Sequence, residues 1–283
     1  MTFAAFGQGV KDSLAFVNAL WSVYNIEKKM EARFATEIPM FGCMQSVSVV
    51  VYPYRRYKTE IIESSAEKSD KTSRLSIKNS ALAGINGSYF NMKTTTTKTY
   101  LKKDKKVWAK TGDNEVFRVD GVVGIKGRKV LIAASDTSHY DIVTAKWNET
   151  LAAGPVLITD GKIVVKEHYG DGFFDKRHPR SIIGTDDRGN VYFVVIDGRF
   201  PGQGQGATIY ETAYICHLLG MTNALNLDGG GSSTLWIDAP ISDGVAQSEG
   251  AVGSVINHPY DNKKFDHAGE RTVPNVIIVR HAI

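Results

Sequence analysis

Short β-rich runs separated by turn sequences dominate the chain from Met40 onward, and they constrain the fold more than any other feature. Runs such as SVSVVVYPY and NVYFVVIDGRF are rich in the β-branched and aromatic residues that favour strands. ITDGKI and DDRGN carry the turn residues of tight hairpins. One clear helical segment lies between them, ATIYETAYICHLLG, and Gly220 is its stop signal. The pattern predicts a mixed α+β fold, a sheet-dominated single domain with few helices.

Residues 1–36 have a different texture, which predicts a helical extension at the N-terminus. Val10, Leu14 and Val17 recur at a spacing of three to four residues, as on one face of a helix. The sequence NIEKKMEARFA continues in helix formers. We therefore expect an N-terminal helical extension followed by one domain over residues 37–283. The extension either packs on that domain or supports a homo-oligomer.

The composition and charge of the chain exclude several classes of protein. With 283 residues, 42% of them hydrophobic, the chain can bury a sizeable core. A net charge of +4 is too small to indicate binding to a nucleic acid polymer. No apolar run is long enough to span a bilayer, and the N-terminus lacks the basic region and cleavage site of a signal peptide. These two observations favour a soluble protein with a cytoplasmic location, and the two distant cysteines make no disulfide framework.

The stretch NALNLDGGGSSTLWI ends a strand on a carboxylate and follows it with three glycines. Leu225 and Leu227 face one side of this strand, and Asn226 and Asp228 face the other. Glycine adopts positive φ and lets a ligand approach the backbone, and the amides of such a turn can bind an anion. The predicted oxyanion cradle beside the carboxylate consists of Gly229, Gly230, Gly231, Ser232 and Ser233. Taken alone, a glycine turn after a strand is more often structural.

A second strand end and the start of a third carry similar groups. NVYFVVIDGRF is apolar through Ile196, and Asp197 and Arg199 would face the same side if the strand continued. His178 and Arg180 flank the proline of KRHPRSIIGT, and arginine suits bidentate phosphate binding. The alternatives are a salt bridge in the first case and a charged surface turn in the second. Because Asp228 and Asp197 both end strands of one domain, we expect these two strand ends to meet in one cleft.

Two further polar residues are candidates for the same cleft. Glu211 follows Thr208 with capping-box spacing in GQGQGATIYET, so it either satisfies the helix end or serves a ligand bound there. Asn86 ends a short apolar strand in AGINGSYFN, before aromatic residues that suit a sugar ring, although alone this is more often a turn. The glycine-rich, aromatic HYGDGFFDKR predicts a flap over the site.

Taken together and in this order, these pieces resemble the phosphodiester glycosidase family. The resemblance spans about residues 80–283, with NLDGGGSST and HPRSIIG as its specific motifs. The segments that carry it are AGINGSYF, AAGPVLITDGKIV, HPRSIIGTDDRGNVYFVVIDGR, GATIYETAYICHLLGMTNALNLDGGGSSTLWI and ERTVPNVIIV. It implies a hydrolase that cleaves the C1–O bond of a glycosyl phosphodiester, releasing a phosphomonoester and a free sugar such as N-acetylglucosamine. A bacterial or phage member of the family is favoured.

The resemblance also implies roles for the site residues. A phosphomonoester leaves C1 readily, so the reaction needs charge stabilisation on the phosphate and a carboxylate near the anomeric carbon. Arg180 and Arg199 would bind the phosphate, and the glycine turn would hold its oxygens. The candidates for base or nucleophile and for acid are Asp228, Asp197 and, third, Glu211. The other substrate-binding candidates are His178, Asn86 and Asn226, of which the first two would orient the sugar.

The expected partner is thus a glycosyl phosphate or sugar phosphodiester, and no cofactor is expected. No His/Cys cluster predicts zinc, although two aspartates and an asparagine could converge on Ca²⁺. Two alternatives stay open. One is a phosphodiesterase that cuts the P–O bond of a nucleotide-derived or glycan phosphodiester. The other is a non-catalytic glycan-binding module.

Overall fold

The computed structural model describes residues 3–165, 172–241 and 253–282, with the side chains of residues 3–8 and 66 left aside. The α-helices are α1 (Phe3–Val17), α2 (Thr72–Lys78), α3 (Tyr140–Val143) and α4 (Ile209–Leu218). Single 3₁₀ turns lie at Ala66–Lys68, Asp113–Glu115 and Gly230–Ser232. The strands are β1 (Ser22–Glu27), β2 (Met30–Met40), β3 (Cys43–Pro53), β4 (Tyr57–Glu63), β5 (Asp70–Lys71), β6 (Ala83–Asn86), β7 (Phe90–Asn91), β8 (Thr96–Thr97), β9 (Leu101–Lys103), β10 (Lys106–Ala109), β11 (Gly121–Lys126), β12 (Lys129–Ala134), β13 (Glu149–Ala153), β14 (Val156–Thr159), β15 (Lys162–Ile163), β16 (Arg180–Thr185), β17 (Asn190–Ile196), β18 (Asn223–Asn226), β19 (Leu235–Ile237), β20 (Ser254–Val255), β21 (Thr272–Val273) and β22 (Asn275–His281).

Three sheets contain most of these strands. The largest has eight strands in the order β1-β2-β3-β17-β16-β18-β14-β15. Two five-stranded sheets have the orders β10-β9-β13-β11-β12 and β20-β19-β6-β22-β4. Neighbouring strands pair antiparallel, for example β16 with β17 and β18, and β6 with β19 and β22. The predicted sheet-dominated α+β class with few helices is confirmed.

The central strands of the large sheet are buried on both faces, which explains their uninterrupted apolar runs. On one face, Val50 and Phe193 belong to a core cluster that also includes Ile85 of the β6 sheet and Leu151 of the β9–β13 sheet. On the other face, Val49 and Val194 pack in a cluster with Ile215 and Cys216 of α4. Burial of both faces removes the polar alternation expected of a half-exposed strand.

The helix predicted over residues 1–36 is confined to Phe3–Val17, and the rest of that prediction is wrong. The chain instead forms a β1–β2 hairpin that turns at Lys28 and Lys29, the latter with φ of 63°. Met30 and Ala32 of β2 are fully buried in the core. This burial outweighs the helix propensity of the IEKK and MEA segments, because tertiary packing overrides weak local preferences. The boundary proposed after residue 36 falls inside β2, which pairs with β3.

The predicted hairpins are present, and so is the helix predicted in ATIYETAYICHLLG, which is α4. Asp160 and Gly161 form the β14–β15 turn with positive φ at both residues, as a two-residue hairpin requires. Helix α4 begins after Thr208 and is followed by Gly220 at φ of 84°. Among the described residues, no helix is both long and apolar enough to cross a bilayer. Cys216 is buried and unbridged, as is usual for a small apolar side chain.

Candidate active site

A cavity of about 360 Å³ opens where the ends of several strands meet, a volume within the range of small-molecule sites. Its wall combines the segment after β18, the start of β16, the segment after β17 and the segment after β6. The lining residues are Tyr89, Met92, Arg118, Phe173, His178, Arg180, Arg199, Asp228, Gly229, Gly230, Gly231 and Arg271. The cavity therefore brings together seven of the residues that the sequence predicted for the site.

Backbone hydrogen bonds fix the turn that carries Asp228. The Asp228 amide donates to the Gly87 carbonyl at 3.0 Å, and its own carbonyl accepts from Asn86 Nδ2 at 2.7 Å. The Gly230 amide donates to the Pro179 carbonyl at 2.9 Å, with Gly230 at φ of 65°. A Cβ on Gly229 would lie 2.6 Å from that same carbonyl, so the close approach of the two segments requires glycine.

Asp228 supplies the carboxylate of the cavity, and no other described Asp or Glu lines its wall. Burial raises the pKa of Asp228. The nearby Ser232 hydroxyl and the guanidinium groups of Arg118 and Arg271 partly offset that rise. The result is a carboxyl group that holds its proton more tightly than an ordinary aspartate does, in a site with several positive charges.

Arg180 is fixed at the start of β16, with only 1% of its surface exposed. Its Nε and one Nη are committed to three backbone carbonyls, those of Ala207 at 2.9 Å, Phe173 at 2.7 Å and Lys176 at 3.1 Å. Burial lowers the pKa of Arg180 to about 10, which keeps the guanidinium charged at neutral pH. The cavity wall thus includes a positively charged group whose orientation is set in advance.

Arg199 and His178 stand side by side on the cavity wall. Arg199 has φ of 69°, and its guanidinium lies 5.1 Å from the ring centroid of Tyr260. Its Nη2 is 3.4 Å from His178 Nδ1, while His178 Nε2 is 2.9 Å from the Gly172 carbonyl. Since a carbonyl only accepts, His178 carries its proton on Nε2 and Nδ1 faces the guanidinium. Burial, with the charges of Arg180 and Arg199, lowers the pKa of His178.

Five lining residues were not named as site residues from the sequence, although Tyr89 lies in AGINGSYFN and Phe173 in the predicted flap, and two of the five are arginines. Arg118 lies 3.9 Å from the ring centroid of Tyr89 and forms an ion pair with buried Glu115. Arg271 donates to both oxygens of Asp261, at 2.7 and 2.6 Å. Arg118 comes from an irregular segment that has no strand-end motif. Arg271 lies in the ERTVPN stretch of the family resemblance, which was the available signal for it. The remaining three are Tyr89, Met92 and Phe173.

The side-chain amides of two predicted substrate-binding asparagines lie behind the cavity wall. Asn86 is fully buried, and its Oδ1 accepts from Ser181 Oγ at 2.7 Å and from the Thr234 amide at 3.1 Å. Asn226, also fully buried, donates from Nδ2 to the Gly154 carbonyl at 2.9 Å. Both side chains connect neighbouring strand ends and hold the glycine turn in place.

Most of the amides predicted to form the oxyanion cradle already donate hydrogen bonds to protein carbonyls. The amides of Ser232 and Ser233 donate to the carbonyls of Gly229 and Gly230, both at 3.3 Å. The Ser233 hydroxyl is buried and has no hydrogen-bond partner within the part of the chain that the structure describes, while that of Ser232 lies near the Asp228 carboxylate. Gly229, Gly230 and Gly231 do line the cavity, so their backbone is open to a ligand there, whereas Ser232 and Ser233 are buried and do not line it.

Asp197 lies behind the cavity and is 1% exposed. Its Oδ1 accepts from Asn257 Nδ2 at 3.0 Å and from the His258 amide at 2.8 Å. Its Oδ2 accepts from Ser46 Oγ at 2.6 Å and lies 2.8 Å from His258 Nδ1. Four donors therefore occupy the carboxylate, and Asp197 is not among the residues that line the cavity containing Asp228.

Glu211 is separated from Asp228 and contributes to a different cavity. It completes a capping box with Thr208, as the spacing suggested, and accepts from Arg177 at 2.7 Å. The second cavity, of about 620 Å³, lies beside α1 and is also lined by Asp12 and Tyr214. The helix-cap interpretation of Glu211 is thus the one that the contacts support.

The possible convergence of two aspartates and an asparagine on Ca²⁺ has no matching geometry in the described ranges. They hold no group of three or more His, Cys, Asp or Glu side chains that could bind a metal ion. Asp197 accepts from N–H and O–H donors, and Asn86 contacts Ser181 and Thr234. Residues 168–171 of the predicted flap lie outside the described residues, while Phe173 of the same flap sequence lines the cavity.

Comparison with known proteins places the chain in a family. The phosphodiester glycosidase family matches residues 79–280. The chain belongs to this family, and the matched range contains every residue of the cavity wall. Among curated proteins, the SPbeta prophage-derived uncharacterized protein YomE of Bacillus subtilis is 29% identical over 156 residues. That match covers 53% of this chain and 22% of YomE, so the chain spans about a fifth of its relative's length.

Two solved structures share the fold. One is the zebrafish N-acetylglucosamine-1-phosphodiester alpha-N-acetylglucosaminidase catalytic domain, auto-inhibited by its pro-peptide. It matches with a TM-score of 0.65 at 17% identity, covering 93% of this chain and 88% of that one. The other is a hypothetical protein from Synechocystis, with a TM-score of 0.66 at 15% identity, covering 93% of this chain and 64% of that one. At such low identity these likenesses establish the fold alone.

Proposed function

We propose that this protein is a hydrolase that cleaves the C1–O bond of a glycosyl phosphodiester and releases a free sugar and a phosphomonoester. One observation carries the proposal: the Asp228 carboxylate shares a cavity with guanidinium groups that have no described carboxylate partner, those of Arg180 and Arg199. An anion beside a carboxylate needs such cations. N-acetylglucosamine is the sugar to test first, because the zebrafish structural relative is named for that sugar.

Arg180 and Arg199 are the phosphate-binding residues in this proposal. Arg180 commits Nε and one Nη to backbone carbonyls, so its guanidinium plane is held rigidly, and its other Nη is left to donate to a phosphate oxygen. His178 presents Nδ1 towards Arg199 and fixes the side on which that guanidinium stands. The cations stabilise the negative charge that the phosphate gains as the C1–O bond breaks.

Asp228 acts at the anomeric carbon. A water oxygen attacks C1, its proton passes to the Asp228 carboxylate, and the C1–O electron pair leaves with the phosphate. The raised pKa of Asp228 suits a group that must accept a proton during reaction. A second carboxylic acid is unnecessary because the leaving phosphate needs no protonation at the bridging oxygen, unlike an ordinary glycoside.

The test is hydrolysis of UDP-N-acetylglucosamine and p-nitrophenyl-phospho-N-acetylglucosamine by the wild-type protein and by Asp228→Asn. We expect free N-acetylglucosamine from the wild type and at least a hundredfold lower kcat in the variant. Asp238→Asn, which changes an exposed aspartate beyond β19, is the matched control and should keep wild-type activity. Absence of sugar release from every glycosyl phosphate offered would sink the proposal.

Hydrolysis in oxygen-18 water separates this reaction from P–O cleavage. Label in the sugar identifies C–O cleavage, and label in the phosphate identifies a phosphodiesterase. A non-catalytic glycan-binding module would bind equally well as wild type and as Asp228→Asn, with no turnover in either form. Each alternative therefore has its own signature in the same pair of proteins.

A further inference from the structure

We propose that Asp197 and His258 are positioning residues that hold the segment 257–271 against the phosphate-binding side of the cavity. This inference rests on the proposed function, since it assigns the phosphate site to Arg199 and its neighbours. The buried carboxylate of Asp197 thereby supports substrate binding without contacting the substrate.

Asp197 anchors the segment 257–271 through hydrogen bonds. All but one of the four hydrogen bonds of this carboxylate come from Asn257 and His258, at distances of 2.8 to 3.0 Å. His258 Nδ1 faces a carboxylate oxygen, so its proton lies on Nδ1 and donates. Both residues are buried, His258 being 9% exposed. In such surroundings a charged acceptor strengthens hydrogen bonds, and its loss costs more than at the surface.

The segment 257–271 is held together by contacts among its own residues. The His258 ring stacks on Phe265 with a centroid separation of 3.6 Å and an angle of 8°. His267 Nδ1 lies 2.8 Å from the Asn257 carbonyl, to which it donates. Phe265 also packs at 5.2 Å against Phe200, the residue after Arg199. The segment is thus folded on itself around the His258 ring and is joined to the end of β17.

Two residues of the segment contact cationic side chains of the cavity wall. Tyr260, two residues beyond His258, provides the ring over which the Arg199 guanidinium lies. Asp261 binds Arg271 through both carboxylate oxygens, and Arg271 lines the cavity. Two cationic side chains of the wall, Arg199 and Arg271, are therefore contacted by residues that lie two and three positions after His258. A displacement of the segment would move both of them relative to Arg180.

The consequence is a specific kinetic signature. Asp197 and His258 do not line the cavity wall among the described residues, so their loss should weaken phosphate binding more than it slows bond cleavage at Asp228. A residue needed only for stability would lower the midpoint of thermal unfolding and the active fraction, leaving the affinity of the folded molecules unchanged.

The experiment compares Asp197→Asn, His258→Gln and His258→Asn with the wild type. The asparagine amide occupies the position of His258 Nδ1 and keeps the hydrogen bond to Asp197, whereas the glutamine amide occupies the position of Nε2 and loses it. The Kd of inorganic phosphate is measured by calorimetry, with the midpoint of thermal unfolding, KM and kcat alongside. His217→Asn, at an exposed histidine of α4, is the control.

We expect Asp197→Asn and His258→Gln to raise the phosphate Kd and KM about tenfold, with kcat within about threefold of wild type. His258→Asn should restore Kd to within about threefold. Equal phosphate Kd values in folded wild type, His258→Gln and His258→Asn would overturn the inference. If Asp197→Asn does not fold, the His258 pair alone decides. A wild type that binds phosphate yet hydrolyses no glycosyl phosphate would sink the proposed function and leave the Kd comparison standing.

Discussion

Asp197 and Arg199 are two residues apart, yet their side chains lie in different environments. Strand β17 ends at Ile196, and Arg199 has φ of 69°, so the alternation of a strand does not continue through this pair. Asp197 is 1% exposed and bound to four donors, while Arg199 lines the cavity. The end of one strand thus supplies both an internal anchor and a candidate phosphate ligand.

The glycine between them allows this divergence, and Gly198→Ala should disturb it. A Cβ at this position would lie 2.4 Å from the Pro179 nitrogen and 2.8 Å from the His178 carbonyl carbon, both in the backbone. We expect the free energy of unfolding to fall by about 1–3 kcal/mol and KM to rise, measured by urea unfolding and steady-state kinetics. Gly112→Ala is the control, since its nearest neighbour is 4.0 Å away. An unchanged KM would contradict the assigned role of the His178–Arg199 region.

The acid limb of the pH profile should report the Asp228 carboxylate. As a base it must be ionised, so kcat/KM falls as pH drops through its pKa, and burial places that pKa above the ordinary aspartate value. The charge of Arg271 lowers the same pKa. Arg271→Gln should therefore move the acid limb to higher pH. The measurement is kcat/KM against pH for both proteins, and a shift to lower pH would refute the assignment of the limb to Asp228.

Arg180→Lys should show that this arginine is more than a positive charge. Lysine keeps the charge but cannot reproduce the planar donation to the Ala207, Phe173 and Lys176 carbonyls. We expect a loss of about 1–3 kcal/mol in the free energy of unfolding, because buried acceptors lose their donors, together with a KM raised about tenfold. Arg188→Lys at an exposed position should change neither. Unchanged KM in Arg180→Lys would remove Arg180 from the phosphate site.

Glu211 should matter to stability and not to turnover. Thr208→Ala removes one half of the capping box and should lower the free energy of unfolding by about 1 kcal/mol. Glu211→Gln also weakens the contact with Arg177 and should destabilise the fold similarly, with kcat within about twofold of wild type. If Glu211→Gln instead lost activity as Asp228→Asn does, while Thr208→Ala did not, Glu211 would be catalytic after all.

Glu63 should make the fold less stable as pH rises towards neutrality. Burial raises the pKa of this carboxyl from 4.5 to about 7, with Thr97 Oγ1 within 3.1 Å of both its oxygens. The folded state therefore holds a proton that the unfolded chain releases between those values, so the contribution is present at low pH and lost towards pH 7. Urea unfolding at pH 5 and pH 8 should show a smaller drop for Glu63→Gln than for wild type. Exposed Glu67→Gln should behave as wild type.

The sequence indicated the sheet-rich class, the hairpin turns, α4 and seven residues of the cavity wall. These came from local signals: β-branched runs, Asp-Gly turns, a capping box and residues that sit where strands end. The roles of Asp197 and Asn86 could not be predicted in the same way. Both are polar groups near strand ends, but whether such a group faces ligand or protein depends on partners that are distant in sequence, such as His258 and Thr234.

The N-terminal hairpin β1–β2 is a segment for which local sequence preference predicted the wrong secondary structure. Residues 22–36 contain good helix formers, and their strand structure results from the pairing of β1 with β2 and of β2 with β3, which local preference does not encode. Arg118 and Arg271 were missed because they lie in segments without regular structure. Their place in the wall results from the packing of Tyr89 and from the Asp261 ion pair.

The cationic character of the cavity has a consequence for the product of the proposed reaction. Four arginines stand among the described residues of its wall. A diester carries one negative charge, whereas the phosphomonoester released from it carries about −1.5 to −2 at pH 7. With the activity proposed above, the product is therefore the stronger ligand, and it should compete with the substrate for the cavity as it accumulates. Progress curves should slow before substrate is exhausted, and a phosphatase added to remove the phosphomonoester should restore their slope.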